Sequence, residues 1–359
     1  MYLAPLNYDR FFKKIFGQKK FAKAFLEDFL DIKIKEIEIL QRKNFITDKA
    51  LPVEFDYRCK LDTGEVVIIE MQQWYKTDVI KRFYLYHTLS TSLQLESLGE
   101  KIVSIDRETG DIIKDKLYND LKPAITLIWM VDDTLGFKED FVTFKMGVEE
   151  LLDFVKDPKI WQKPLEEILK ERERVLNIQN NKTKGLEFLS ENKLIFIFQK
   201  NIVKNLKGKK SKKDKYFKWF DFAHKTHNKK NKKSDFKNYD KDKIFAQIMH
   251  LLLKDRLSEE EIKYITKEDE LKEAYLKYTE VLIEKEKKVL QFKQELEETT
   301  EKLEKERKEK EKVLKEKEKT LKSLYNTAKL LLSMNTDIEK ISEATGLSKE
   351  EIEKLKKQS

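Results

Sequence analysis

The chain has 359 residues, of which 39% are charged and 40% hydrophobic, with a net charge of +9. A charged share so far above the roughly 25% of ordinary globular domains argues against one packed body and for one or two compact units plus an elongated segment. The single cysteine, Cys59, excludes a disulfide scaffold and a Cys-rich zinc site and fits a reducing cytosol, and no run approaches the ~18 apolar residues of a membrane span.

Met1 to Lys20 has neither an apolar signal core nor a small-residue cleavage site, so a cytoplasmic location is expected, with no membrane partner. The positive charge is local. Residues 151–243 carry 26 Lys and Arg against 13 Asp and Glu, whereas the stretches on either side are near balance. A concentrated basic segment suits a phosphate-bearing partner; the plainer reading is a solvated Lys/Asn-rich loop.

In chain order, Phe11, Phe12, Ile15, Phe16, Phe25, Leu26, Phe29 and Leu30 recur at helical spacing, broken near Gly17. Val53 to Lys60 reads as a strand, Asp62-Thr63-Gly64 as a turn, and Val66 to Gln72 as a second strand. The continuous run Val66-Val67-Ile68-Ile69 indicates a strand covered on both faces. Val79 to Leu98 is helical in pattern and stops at Gly99, and Ala124 to Val131 is another buried strand. This order predicts an α/β (α+β) core with a mixed sheet over residues 1–150.

Residues 151–255 read as a basic α/β extension, with a Lys-rich loop at 200–243 and a short apolar helix from Ile244 to Lys254. Within that loop, Tyr216, Phe217, Trp219, Phe220 and Phe222 sit among the lysines. Such aromatics either stack on nucleic-acid bases or anchor the loop to the core. His224 and His227 lie three apart, but no Cys and no third His is near, which argues against zinc.

Residues 270–322 form a long charged helix. Leu282, Val289, Leu296 and Leu303 repeat every seven residues, with Phe292 at the second core position, before Lys310 and Lys317 break the row. A homo-oligomer through this helix is expected, as a coiled coil, against the alternative of a solitary charged helix. Residues 323–359 read as a small helical unit. Thr336 with Glu339, and Ser348 with Glu351, look like capping boxes, and Gly346 sits in a turn of helix-turn-helix type.

The chemical signal lies on the hairpin. Asp56 is on its first strand, and Glu70 and Gln72 are two apart on the next, so the latter share a face. A carboxylate inside an apolar strand is costly unless it is paired or holds a cation. Two carboxylates from adjacent strands can hold one hard divalent ion through oxygen. Surface carboxylates on an exposed strand would look the same.

Asp56, thirteen residues, then Glu70-Met71-Gln72 resembles the Asp…Glu-x-Lys signature of the PD-(D/E)XK nuclease superfamily. More closely, the chain resembles the Rpn-type recombination-promoting nucleases, also described as PD-(D/E)XK nuclease family transposases. The likeness runs through Asp9-Arg10-Phe11-Phe12-Lys13, Ile15-Phe16-Gly17, Asp56 to Gly64, Ile69 to Gln72, Arg82 with Tyr86, Gly99, and Leu121 to Val131. The stretch Thr345-Gly346-Leu347-Ser348 extends it to the last 36 residues.

That resemblance implies a restriction-endonuclease-like core and an Mg2+-dependent endodeoxyribonuclease, with Mn2+ as a substitute. It implies Asp56, Glu70 and the Met71 carbonyl as metal ligands, DNA as the partner, and a role in recombination near the nucleoid. Gln72 stands where the superfamily has Lys. It can orient water but brings no charge, so Lys13 and Arg82 are the candidates for the missing cation. Asp9 either supports the metal or simply favours the helix start. The competing readings are a non-cleaving DNA-binding or assembly protein on a decayed nuclease fold, and a structural coiled-coil protein.

Overall fold

Two amphipathic helices open the computed structural model, which describes every residue except 46–51, 75, 77, 107, 110, 182, 207–213 and 359. Helix α1 (Asp9–Phe16) buries Phe11, Phe12, Ile15 and Phe16, and α2 (Lys19–Leu30) buries Phe21, Ala22, Phe25 and Leu26. These positions lie three and four apart, so each helix turns one stripe inward.

Strands β1 (Ile37–Ile39), β2 (Lys43–Asn44), β3 (Val53–Glu54), β4 (Tyr57–Leu61) and β5 (Val66–Gln72) follow. The turn between β4 and β5 needs Gly64, whose φ of +105° is unfavourable for a residue with a side chain. The single strand expected from Val53 to Lys60 is divided. Asp56 occupies a bend between β3, which pairs with β2, and β4, which pairs with β1 and β5.

Helix α3 (Val79–Ser92) gives way to a 3-10 turn at Leu93–Glu96, earlier than the helical pattern predicts. A hairpin of β6 (Glu100–Ile105) and β7 (Ile112–Lys116), absent from the sequence reading, precedes β8 (Ala124–Met130). It is hard to see in sequence because neither strand keeps an inward face: Ile102, Val103, Ile105, Ile112 and Ile113 are all exposed. Then come β9 (Phe141–Lys145), α4 (Glu149–Lys156), α5 (Leu165–Gln179), α6 (Glu187–Glu191), β10 (Lys193–Phe198), α7 (Gln199–Leu206), α8 (Asp214–His227) and α9 (Lys243–Leu252).

The main sheet is six-stranded and mixed, in the order β1-β4-β5-β8-β10-β9. Strands β5, β8 and β10 run parallel in its centre, flanked by antiparallel neighbours. Val67, Ile69, Met71, Leu127, Trp129, Ile195 and Ile197 face a core shared with α1, α2, α8 and α9. Ile128, Met130, Phe196 and Phe198 face Val79 and Phe83 of α3 on the other side. This is the expected α/β core. A domain boundary near residue 150 would fall inside this sheet, because β10 lies against β8 and pairs with β9. Residues 1–275 form one compact unit and residues 276–359 a second.

The segment expected as a loop at 200–243 is largely helical where it is described; residues 207–213 lie outside the described residues. Trp219, Phe220 and Phe222 are fully buried and Tyr216 nearly so. Packing of these rings against Phe25, Trp129 and Phe245 outweighs the low apolar content that makes the segment read as a loop.

Helix α10 (Glu259–Ser333) is longer than the expected 270–322 at both ends. In the second unit its end packs with α11 (Ile338–Thr345) and α12 (Lys349–Gln358) around Ala328, Ile341, Leu347, Ile352 and Leu355. The cap of α11 is Asp337, not Thr336: its carboxylate accepts from the Glu339 N–H at 3.1 Å. Ser348 and Glu351 make the expected reciprocal box, at 3.3 and 2.9 Å. Among the described residues, no helix is long and apolar enough to cross a membrane.

Candidate active site

The β4–β5 ladder explains how two carboxylates come to share one site. Its register pairs Tyr57 with Ile69 and Arg58 with Ile68. One step further, Asp56 stands across from Glu70, where β4 has already ended. Side chains take over the hydrogen bonds that a longer ladder would have made. The Asp56 N–H donates to Glu70 Oε1 at 3.1 Å, and the Met71 N–H donates to Asp56 Oδ2 at 2.9 Å. The N–H and C=O of one strand residue leave by the same edge, so the Met71 carbonyl faces the edge on which Asp56 sits.

Both carboxyl groups resist ionisation. Burial pushes Asp56 up to about 6, the Asp9 charge adds to the rise, and the Met71 hydrogen bond and Lys13 oppose it. Glu70, only 5% exposed, is raised well above the usual carboxylate range by burial and then by Asp56. A buried acid raised further by the charge of its neighbour suits a pair built around a cation or a shared proton.

Lys13 reaches this pair from α1. Its Nζ lies 3.3 Å from Asp56 Oδ1, 2.9 Å from Asp9 Oδ1 and 3.8 Å from Glu54 Oε1. Burial works against its charge, but Asp56 and Asp9 outweigh that and its pKa is raised. Asp9, in the first turn of α1, therefore orients Lys13 besides favouring the helix dipole.

Arg82 enters from α3, which is anchored by Val79 and Phe83 one turn apart. A guanidinium nitrogen of Arg82 donates to Gln72 Oε1, and the Gln72 amide nitrogen donates to the Trp74 carbonyl. Arg82 Nε is buried and finds no acceptor among the described residues. The structure thus brings Lys13 to Asp56, Asp56 to Glu70, and Arg82 to Gln72. Lys76 was missed by the sequence reading. Burial and then Arg82 pull its pKa down, while Asp78, Glu268 and Asp56 oppose this. Nothing in the spacing of Lys76 sets it apart from other loop lysines.

One wall of this region comes from α10. Gln73 Nε2 donates to Glu268 Oε1 at 3.2 Å, and the Trp74 and Tyr275 rings lie 5.6 Å apart. Beside it, the Tyr8 hydroxyl donates to Asp269, and Lys272 pairs with Asp132 at 2.7 Å. His227 is enclosed between Asn7 and Lys272, and burial pushes its pKa down to about 4. His224 is exposed.

Among the described residues, no group of three or more His, Cys, Asp or Glu side chains is arranged to hold a metal ion. Asp56 and Glu70 are a pair, and a metal between them would draw further oxygens from backbone and water. The donor chemistry fits such an ion. The available atoms are hard oxygens, and a divalent charge would offset the cost of ionising two buried acids.

No curated protein and no solved structure gives a significant match to this chain. The family comparison does: residues 6–108, which hold Lys13, Asp56, Glu70, Gln72 and Arg82, match the family described as PD-(D/E)XK nuclease family transposase.

Proposed function

We propose that the chain is a metal-dependent endodeoxyribonuclease that hydrolyses phosphodiester bonds and promotes DNA recombination. The observation that carries this reading is the Asp56–Glu70 pair, locked across the end of a β-hairpin beside Lys13. Mg2+, or Mn2+ in its place, would be held by Asp56, Glu70 and the Met71 carbonyl. A metal of this kind lowers the pKa of a bound water and polarises a phosphoryl oxygen. Lys13 and Arg82 supply positive charge next to the acids, where negative charge would grow on the phosphoryl oxygens. Gln72, tethered to Arg82, orients water and aims the guanidinium. A homo-oligomer through residues 270–322 would present two such sites to two strands.

The test is cleavage of supercoiled plasmid by wild type and Glu70→Ala in Mg2+, Mn2+ and EDTA. The expected outcome is metal-dependent nicking or linearisation that falls by more than about 100-fold in the variant. Equal cutting by both proteins would exclude this site.

A second reading has one observation behind it. Gln72 replaces the superfamily lysine and its amide is committed to Arg82 and Trp74. On that reading the fold is a decayed nuclease that binds DNA without cutting. DNA binding by wild type with no cleavage in any metal would favour it.

A further inference from the structure

The segment from Asn228 to Lys243 holds seven lysines against three aspartates. In sequence it looks like low-complexity drift. In the structure it is a fixed surface with its lysines turned outward. Asn231, the centre of Lys229-Lys230-Asn231-Lys232-Lys233, is only 3% exposed. Its side-chain oxygen accepts from the Tyr2 and Leu3 N–H groups, both at 2.8 Å. Its amide nitrogen donates to the carbonyls of Leu3, Thr226 and Asn228 at 2.9, 3.1 and 2.8 Å. Further along, Phe236 and Tyr239 are buried against Phe222 and Phe245.

The lysines around these anchors, Lys229, Lys230, Lys232, Lys233, Lys237, Lys241 and Lys243, are exposed. Lys229 pairs with Asp269 at 3.0 Å. Among the described residues Lys230, Lys232, Lys233 and Lys237 form no ion pair. A run of unneutralised lysines on a pinned backbone loses little freedom when a polyanion binds, which favours binding.

Its location is equally informative. Lys229 touches Asp269, Asp269 accepts from Tyr8, and Tyr8 precedes Asp9, which holds Lys13 on Asp56. The basic loop is therefore a few contacts away from the carboxylate pair, within one compact unit.

We propose that the loop Lys229–Lys233 is a phosphate clamp that grips the backbone of duplex DNA flanking the site of cleavage. This rests on the nuclease reading for the identity of the polyanion. The aromatics of the segment are turned into the core, so the loop offers no platform on which bases could stack. It reads charge alone, without sequence preference, and favours the duplex, whose charge density is higher. The same inward turn of Phe236 and Tyr239 leaves few apolar groups to enter a lipid surface.

The experiment uses the full chain in EDTA, so that binding is read without cleavage. Anisotropy of a labelled mixed-sequence duplex is titrated across salt concentrations. The variants are the triple substitution Lys230→Gln, Lys232→Gln, Lys233→Gln; the same three positions changed to Arg; and, as a control of equal charge, Lys308→Gln, Lys312→Gln, Lys319→Gln on α10. Asn231 and Lys229 are kept so that the loop's anchor and its ion pair survive.

Each phosphate contact contributes about 0.9 to the slope of log K against log salt, so the Gln triple should lower that slope by about 2 to 3 and weaken binding roughly tenfold or more. The Arg triple should bind like wild type, which separates charge from any loss of fold. Unchanged slope and affinity in the Gln triple overturns the clamp, as does an equal loss in the α10 control. Binding to phosphatidylserine vesicles that the Gln triple abolishes, with no duplex binding, overturns it in favour of a membrane. Plasmid cleavage by Glu70→Ala is a separate readout. A wild type that binds the duplex through this loop yet never cuts would remove the nuclease and leave the clamp standing.

Discussion

At the scale of single residues, the protonation of Asp56 gives a stability test that needs no substrate. In the folded chain burial pushes its pKa up to about 6, against an ordinary value near 3.8. Between those values the folded state binds more protons than the unfolded one, so stability without metal falls as pH rises through this window. A shift of roughly two units is worth on the order of 3 kcal/mol, and Glu70 acts in the same direction. Asp56→Asn carries no charge yet keeps an acceptor for the Met71 N–H, and Lys13 keeps Asp9. In EDTA the variant should melt several degrees above wild type at neutral pH, with little difference near pH 4. A wild type that gains stability from pH 4 to 7, with no effect of the substitution, would contradict this account of the pair. Strand alternation puts Glu70 and Gln72 on one face of a strand, but that pattern also fits plain surface carboxylates, and only the family resemblance singles out Asp56, Glu70 and Gln72. Lys13 stood out only as a candidate cation by the family resemblance, and its contacts with Asp56 and Asp9 could not be read from the sequence. The contacts of Gln73 with Glu268 and of Tyr8 with Asp269 were not legible either, because each partner lies more than 190 residues away, in a helix whose composition reads as free of any core.

Strands β5 and β8 announce themselves as unbroken apolar runs because both faces are covered, and α1 and α2 as inward stripes. Helix α8 does not, because lysines and aspartates mask a buried face built from four aromatics. The first turns of α10 are a second case. Residues 259–269 precede the expected charged helix of 270–322, yet they already belong to α10: Ile265 is 8% exposed and Tyr264 packs on Phe11 with ring centres 6.2 Å apart. Glu261 pairs with Lys14 at 2.7 Å and Asp269 accepts from Tyr8, which is almost fully buried. A chain ending at residue 258 loses the burial of Ile265 and leaves the Tyr8 hydroxyl without its acceptor. Those two losses alone amount to about 3 to 5 kcal/mol. A chain ending at residue 275 keeps both. Urea unfolding of the two truncations should show a clearly lower midpoint for the shorter one. Equal midpoints would mean that these turns of α10 are not part of the first unit's core.

On the scale of the whole molecule, the long helix α10 extends well past the first compact unit. Beyond residue 275, α10 carries Val289, Leu296 and Leu303 on one heptad row, each more than half exposed, with Phe292 at 68% on the second. A solitary helix has no reason to space large apolar side chains seven apart, whereas a paired one buries them as knobs in holes. In a paired helix the charged residues between them would stay in water and the apolar row would form the seam. The row lapses at Lys310 and Lys317, while Leu314 and Leu321 continue an offset row, as expected where a heptad shifts phase. On the nuclease reading proposed above, pairing here would bring two carboxylate sites to one substrate, so that both strands could be cut in a single encounter. Leu296→Asp with Leu303→Asp would put four charges into the seam of a dimer. By light scattering the wild type should have the mass of two chains and the double variant the mass of one. The variant should still bind duplex through the first unit and nick plasmid, but linearise it far less. A wild type already of single-chain mass, or a variant that linearises as well as it nicks, would separate the helix from the cutting of two strands.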